Sequence, residues 1–218
     1  MEIREQCVYV GPNRRSPDTV IEQLLQFEPL EVDAFTNGWR TLLRQLDDSL
    51  TAMGLEGRGS SPEVADEDPV SRFCRLYSEL AVYLQRMTGH RVSFVSLVPA
   101  TGNLSCRAIF EFEEGEVGLL AGTLARRILQ RACSALVLSE ETDQTHAPLA
   151  EQWQAFARAS TQRTLPLDAE AIIAAAARAG IPVQKLDRAP FQSRPGDFRV
   201  RSGGGLRLGQ CCHQHMVD

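Results

Sequence analysis

The stretch Ser105–Gly122, SCRAIFEFEEGEVGLLAG, decides the fold class because two periodicities meet inside it. Its first half, Ser105–Phe112, alternates small or aromatic residues with Arg, Ile and Glu, which predicts a half-buried β-strand. Its second half carries apolar residues at helical spacing from Val117 onward, and acids precede them. Since acids complement the dipole at a helix start, the stretch predicts a strand followed directly by a helix.

The segments before this stretch predict a hairpin and a further helix. Val92–Val98 predicts a second strand, and a turn at Ala100–Asn103 joins it to Ser105–Phe112. Upstream of the hairpin, Pro69 opens a helix whose apolar residues repeat every three to four positions until Gly89 ends it.

The amino-terminal part of the chain predicts one strand and two helices. Cys7–Val10 is rich in β-forming residues and predicts a short strand. The apolar residues that follow Ser16–Asp18 fit one helix face, so we predict a helix over 20–27. Phe35–Met53 predicts a second amphipathic helix. Gly54–Asp68 is rich in Gly, Ser, Pro and acids, and predicts a loop.

The carboxy-terminal part predicts a short helix, a strand and a hairpin. Asp168 is predicted to cap an alanine-rich helix over Ala169–Ala179. Ile181–Leu186 predicts a strand, and residues 198–201 are predicted to pair with 206–208 across a glycine-rich turn. Helices and strands mix without a strict repeat, so the expected fold is α+β: a small mixed domain followed by this short segment.

Composition indicates a globular, cytoplasmic protein. The 218 residues are 43% hydrophobic and carry a formal charge of −5. This charge lacks the excess of basic residues that is typical of nucleic-acid-binding proteins. The longest apolar stretch, Ala171–Ala177, is far shorter than the roughly 20 residues of a transmembrane helix, and no secretory signal pattern opens the chain. Six scattered cysteines favour reduced thiols. Three of them, Cys74, Cys106 and Cys133, are predicted to lie in the core.

Four segments, in order along the chain, carry a resemblance to a known family. They are Val8–Asn13, a strand with a Gly-Pro-Asn turn; Ala108–Gly118, an acidic strand-to-helix segment; Ala179–Pro182; and Leu206–Gly209 followed by His213-Gln214. In this order and spacing they resemble the amino-terminal part of cyanophycin synthetase, a ligase that extends a polymer of aspartate and arginine using ATP. Each segment alone is a weak indication of the family, and the four together span nearly the whole chain.

The resemblance implies two parts. Residues 1–160 correspond to the amino-terminal domain that holds the growing polymer, and 165–218 to an incomplete start of the ATP-grasp region. The family's remaining ligase machinery has no counterpart here, and the phosphate-cradling pattern G-x-x-x-x-G-K-[ST] does not occur. We therefore expect a non-catalytic fragment without a cofactor of its own. ATP and Mg²⁺ would serve a full-length parent, an ATP-dependent peptide ligase.

The resemblance also implies partners. The expected ones are the aspartate–arginine polymer or a related peptide and the remainder of the ligase. Pairing with a second copy of the chain stays open as an alternative. We expect no nucleic-acid or membrane partner, in line with the charge and hydropathy.

A peptidase-like centre found in some members of the family has no counterpart at the aligned positions. That centre resembles His-x-x-Glu-His on a helix, where two histidines bind zinc and the glutamate activates water. The aligned positions hold Arg75, Ser78 and Glu79. A guanidinium cannot ligate zinc, so we predict no zinc hydrolase activity. His90, which follows a helix-ending glycine, is predicted to lie at the surface.

Two carboxy-terminal runs are better explained without a ligand. Cys211–His215 crowds metal-type ligands without the two-to-four-residue spacing of tetrahedral sites, so no metal site is predicted. Ser202–Gly205 lacks the helix start of a phosphate loop, which favours a hairpin turn. The family has Tyr-Gly after Gly209, whereas this chain has Gln210-Cys211.

Charged residues in or near the resembling segments are the candidate polymer contacts. The polymer carries carboxylates and guanidinium groups, so its binding surface needs both bases and acids, and arginine can grip a carboxylate with two hydrogen bonds. The candidates are Arg14, Arg15, Glu111, Glu113, Glu114 and Glu116. The alternative is that these charges cover solvated faces, as most surface charges do.

Three functions follow from these observations. The first is a non-catalytic domain that binds polymer and scaffolds a ligase. The second is a primer-generating peptidase-like domain, which the missing zinc ligands disfavour. The third is a structural module through which a parent protein oligomerises.

Overall fold

The computed structural model describes residues 1–10, 13–55, 67–100, 102, 104–137, 149–163, 167–181, 183–186, 205–208 and 215–217. The chain has an α+β fold, as its mixed pattern predicts. It divides into two compact units, Met1–Arg163 and Thr164–Asp218. None of the helices within the described ranges is long and apolar enough to cross a membrane.

The first unit combines one antiparallel sheet with helices. In chain order its described elements are β1 (Glu2–Tyr9), β2 (Val20–Gln26), α1 (Pro29–Ala52), α2 (Pro69–Met87), β3 (Val95–Pro99), β4 (Ser105–Glu111), α3 (Gly115–Val137) and α4 (Leu149–Arg163). The strand order is β1-β2-β4-β3, and all neighbours are antiparallel. The predicted β3–β4 hairpin and the helix after it are confirmed, although β3 begins at Val95 rather than Val92.

β2 occupies the segment predicted to be helical, and that prediction is wrong. Its apolar residues fit one helix face, but they also fit a strand that is buried on both faces, and periodicity alone does not separate the two. β2 has a hydrogen-bonded neighbour on each edge, β1 and β4. Val20 and Ile21, which alternate between its faces, are both fully buried. Burial on two sides therefore selects the strand.

Capping residues explain where α1 and α2 begin. α1 begins ahead of the predicted Phe35 because Glu28 and Glu31 form a capping box at its start. α2 begins where predicted, and Asp68 Oδ1 accepts a hydrogen bond from Ser71 N at 3.0 Å. Both starts are therefore set by local chemistry.

The core of the first unit lies between the sheet and helices α2 and α3. Tyr77 of α2 packs edge to face on Phe110 of β4, with ring centroids 6.0 Å apart. α3 approaches the sheet closely at Gly118, where an added Cβ would lie 2.7 Å from Ile21 Cδ1 and from Phe112 Cβ. One face of the sheet is thus covered by α2 and α3.

The described part of the second unit is a helix and a small antiparallel sheet. The elements are α5 (Leu167–Arg178), β5 (Val183–Leu186), β6 (Gly205–Leu208) and β7 (His215–Val217), with strand order β5-β6-β7. The predicted cap is wrong, because α5 begins at Leu167 and Asp168 lies inside its first turn. Among the described residues, β6 pairs with β5 on one edge and with β7 on the other. Residues 198–201 lie outside the described ranges.

Candidate functional site

The face of the first-unit sheet opposite α2 and α3, here called the distal face, carries a cluster of charges. Successive side chains of a strand point to opposite faces. Gln23 of β2 accepts a hydrogen bond from Tyr77 of α2, so Gln23 lies on the helix side and Glu22 on the distal face. Arg107 of β4 reaches the Glu22 carboxylate and lies on the same face. The strand pattern therefore brings β2 and β4 charges together there.

Three arginines surround the Glu22 carboxylate. Arg15 donates two hydrogen bonds, from Nε to Oε2 at 2.8 Å and from Nη2 to Oε1 at 3.1 Å. Arg107 Nη1 donates to Glu22 Oε1 at 3.2 Å, and its Nη2 donates to Glu5 Oε2 at 2.8 Å. Arg14 Nη2 lies 3.9 Å from Glu22 Oε1. We call these five residues the arginine cluster.

The turn before β2 positions the two consecutive arginines. Asn13 Oδ1 accepts hydrogen bonds from Arg15 N at 2.8 Å and Ser16 N at 3.1 Å, which is the local bonding typical of an Asx turn. Its Nδ2 donates to Asp18 O at 3.1 Å. Hydrogen bonds hold this turn at both ends. The side chains of Arg14 and Arg15 both extend from it toward the Glu22 carboxylate.

Hydrogen bonding keeps the cluster charged despite its burial. The Glu22 side chain is only 1% exposed, yet its pKa lies below the ordinary value because the hydrogen bonds from Arg15 outweigh the effect of burial. The same bonds raise the pKa of Arg15, and the bond to Glu5 raises that of Arg107. With three arginines against two carboxylates, the cluster carries a net positive charge.

Exposure separates the roles of the three arginines. The side chains of Arg15 and Arg107 are 20% and 27% exposed, and both are hydrogen-bonded to carboxylates. The side chain of Arg14 is 68% exposed and lies too far from Glu22 for a hydrogen bond. Its Nη2 makes one long contact, 3.5 Å to the Tyr9 hydroxyl. Arg14 is therefore the guanidinium best placed to meet an incoming anion.

The predicted acidic contacts do not join this cluster. Glu111 Oε2 accepts hydrogen bonds from Ser93 N at 2.7 Å and Phe94 N at 2.8 Å, which fixes the segment entering β3. Glu114 Oε2 accepts from Val117 N at 2.8 Å and so binds the first turn of α3. These two carboxylates support local structure.

The other two predicted acids bind partners away from the cluster. Glu116 forms an ion pair with Arg163 at the end of α4. Glu113 Oε2 accepts from Arg91 N at 3.1 Å and lies 3.2 Å from His90 Nδ1. The structure therefore brings Arg14 and Arg15 together, and places all four predicted acids elsewhere.

His90 is buried, so the prediction that it lies at the surface is wrong. Its exposed fraction is 7%. Besides Glu113, the ring lies 2.9 Å from Ser160 Oγ through Nε2, and Ser160 Oγ donates to Thr88 Oγ1 at 2.9 Å. This order of serine, histidine and acid is that of a catalytic triad. Ser160 is fully buried, however, so the chain of bonds ties α4 to the end of α2 rather than presenting a nucleophile.

The positions aligned with the zinc centre form ordinary structural contacts. Arg75 donates to both oxygens of Glu67, with the shortest distance 2.7 Å. Ser78 is fully buried and its hydroxyl donates to Cys74 O at 3.0 Å. Across the described residues, no group of three or more His, Cys, Asp or Glu side chains is arranged to hold a metal ion. Residues 211–214 and 202–204 lie outside the described ranges.

Sequence reasoning missed Glu22, Arg107 and Glu5. One signal was present, since Glu22 and Gln23 interrupt an otherwise apolar run. A helical interpretation of that run places Glu22 on a solvated face, where a charge needs no explanation. In a central strand the same residue is buried and requires a partner.

Comparison with known proteins identifies no relative of this chain. The chain matches no family model, and no curated protein matches it either.

Proposed function

We propose that residues 1–163 form a non-catalytic domain that binds an aspartate–arginine polymer for a cyanophycin-synthetase-like ATP-dependent ligase. The resemblance of the four sequence segments supports the family. One observation supports the site, which is the exposed guanidinium of Arg14 beside two arginines held by a buried carboxylate.

The chemistry of the polymer fits this surface. Its carboxylates can accept hydrogen bonds from arginine, which are among the stronger ones in proteins. Its guanidinium groups can pair with Glu5, whose side chain is 57% exposed. Weak contacts suffice for such a domain, because tethering the polymer near a ligase raises its effective concentration there.

The test is calorimetric titration of the chain with soluble aspartate–arginine oligomers at low and moderate salt. We expect saturable binding that weakens with salt, because screening reduces the attraction between exposed charges. Arg14→Gln should weaken it by up to roughly fivefold, in keeping with the free energy of about 0.2–1 kcal/mol of exposed charge pairs. Glutamine is preferred to glutamate here, because a new carboxylate would face Glu22.

A matched control is Arg131→Gln, which removes an exposed arginine from α3 on the helix side of the sheet. It changes net charge equally and should leave the affinity unchanged. No binding at low salt by the unaltered chain would contradict the proposed function. Equal losses in both variants would show that only net charge matters, and would contradict the site.

A further inference from the structure

A series of hydrogen-bond contacts joins the end of α2 to α4 through the ring of His90. Its Nδ1 lies 3.2 Å from Glu113 Oε2, and its Nε2 lies 2.9 Å from Ser160 Oγ. The series continues from Ser160 Oγ to Thr88 Oγ1 at 2.9 Å, and from Thr88 Oγ1 to Gln85 O at 2.9 Å. His90 is 7% exposed and Ser160 is fully buried, so protein groups have to satisfy the atoms at the centre of the series.

The number of hydrogen atoms in this series depends on the charge of the ring. Each of the four contacts needs a hydrogen between its two electronegative atoms. The Gln85 carbonyl and the Glu113 carboxylate can only accept, and Ser160 and Thr88 have one hydroxyl hydrogen each. A neutral imidazole adds one N–H and leaves one contact without a hydrogen, whereas the imidazolium adds two and completes the series. This count holds in whichever direction each bond runs.

We propose that His90 is a proton-sensitive latch, whose imidazolium holds α4 on the end of α2 and whose loss of a proton weakens that attachment. α4 is the last element of the first unit, which ends at Arg163. The latch therefore acts at the point where the chain leaves that unit.

Two features of the surroundings favour a charged ring. The Glu113 carboxylate is a counterion within hydrogen-bond distance, and the ring lies just beyond the carboxyl end of α2, whose dipole favours cations. The other ionisable side chains on the elements around the ring are Arg86, Arg91, Glu111, Glu114, Arg158 and Arg163. The two acids bind backbone N–H groups, and Arg163 pairs with Glu116. The remaining arginines carry the same charge as the imidazolium and oppose it, so Glu113 is the group that holds the proton on the ring.

The sign of the pH effect follows from which form of the ring holds α4. Attachment is complete on the acid side of the His90 titration and weakens as the pH rises through it, because one contact then loses its hydrogen. We expect the protection of α4 amides against hydrogen exchange to fall by about threefold to tenfold, as the loss of one hydrogen bond predicts.

The experiment follows the whole chain from about pH 5 to pH 9 with two measurements. Nitrogen NMR of the histidine rings reports whether each ring nitrogen carries a hydrogen, and the His90 signals are assigned by their loss in His90→Gln. Hydrogen exchange, corrected for the direct effect of pH on its rate, reports the protection of α4. We expect both ring nitrogens to carry a hydrogen at the acid end, and α4 to lose protection in the interval where one nitrogen loses its hydrogen. The amides of α1, which takes no part in the series, should not respond.

Three variants separate the latch from other effects of pH. Glu113→Gln removes the counterion and should lower the pH at which α4 loses protection by about one unit. Ser160→Ala breaks the series between the ring and α4, so α4 should be less protected throughout and should no longer respond to the His90 titration. Thr161→Ala is the matched control, because it removes a hydroxyl that bonds within α4 to Ala157 O, and it should keep the response.

Either of two results would overturn the proposal. One is a neutral His90 ring across the whole range while α4 stays protected. The other is protection of α4 that does not change while His90 loses its proton. Both are read from the unaltered chain, so the test stands even if a variant fails to fold. If the ring stays charged to the alkaline end, the same comparison in Glu113→Gln decides between the two outcomes.

Discussion

Replacing Glu22 with glutamine should remove the anion that holds the arginine cluster together. The carboxylate is 1% exposed and accepts two hydrogen bonds from Arg15 and one from Arg107. In Glu22→Gln one carboxylate oxygen becomes an amide that donates, so it faces guanidinium donors without an acceptor. Breaking a buried ion pair costs about 3–5 kcal/mol. We expect about 3 kcal/mol, because the partly exposed arginines can regain water.

The loss of stability in Glu22→Gln should depend on pH, in a direction fixed by the pKa of Glu22. That pKa lies below its ordinary value in the folded chain, and returns to the ordinary value in the unfolded chain. The stabilisation is therefore complete above the unfolded value and disappears as pH falls through the folded value. The free energies of unfolding of the variant and the unaltered chain should differ most near neutral pH and converge as the pH falls below the folded pKa of Glu22.

Urea unfolding followed by tryptophan fluorescence measures this difference in the free energy of unfolding for the first structural unit. The chain has two tryptophans, Trp39 and Trp153, and both lie in the first unit. Glu2→Gln is the matched control, since Glu2 pairs with Arg4 at 60% exposure and should matter by less than about 0.5 kcal/mol. A loss below about 1 kcal/mol for Glu22→Gln at neutral pH would refute the reasoning. So would a loss that persists unchanged in acid.

Two further substitutions test how the helices of the first unit are held. Gly118→Ala should destabilise it by about 1–3 kcal/mol in urea unfolding, because the new methyl group would press on Ile21 and Phe112, each 2.7 Å away. A loss within about 0.5 kcal/mol would show that α3 does not need this close approach. Asp68→Ala should cost about 1 kcal/mol by removing the bond to Ser71 N, and Asp68→Asn, which keeps an accepting oxygen, should recover most of it. Equal losses of stability in Asp68→Ala and Asp68→Asn would contradict the capping role of Asp68.

The elements that the sequence predicts correctly are those with local signals. α2 has a capping aspartate and a proline at its start, and the β3–β4 hairpin has alternation on β4. β2 is different, because its apolar spacing suits a helix as well as a buried strand. Only the pairing with β1 and β4 settles the choice, and the pairing with β4 joins residues far apart in the chain.

The same limit applies to the candidate site. Arg14 and Arg15 are adjacent in sequence and follow a recognisable turn, so a search for charges finds them. Glu22 and Arg107 are 85 positions apart, and their contact exists only because β2 and β4 are neighbours in the sheet. His90 is a similar case, since Ser160 of α4 helps to bury it and lies 70 positions away.

Glu22 also separates two physical accounts of how the distal face could bind the carboxylates of such a polymer. If attraction by net charge dominates, Glu22→Gln should tighten binding, because it removes one of two carboxylates beside three arginines. If the fixed positions of the arginines dominate, the same change should weaken binding, because Arg15 and Arg107 lose their shared anchor. Ordering a long side chain on binding costs about 0.5–1.5 kcal/mol, and the buried carboxylate removes that cost in advance for both residues. We therefore expect weaker binding despite the more positive surface.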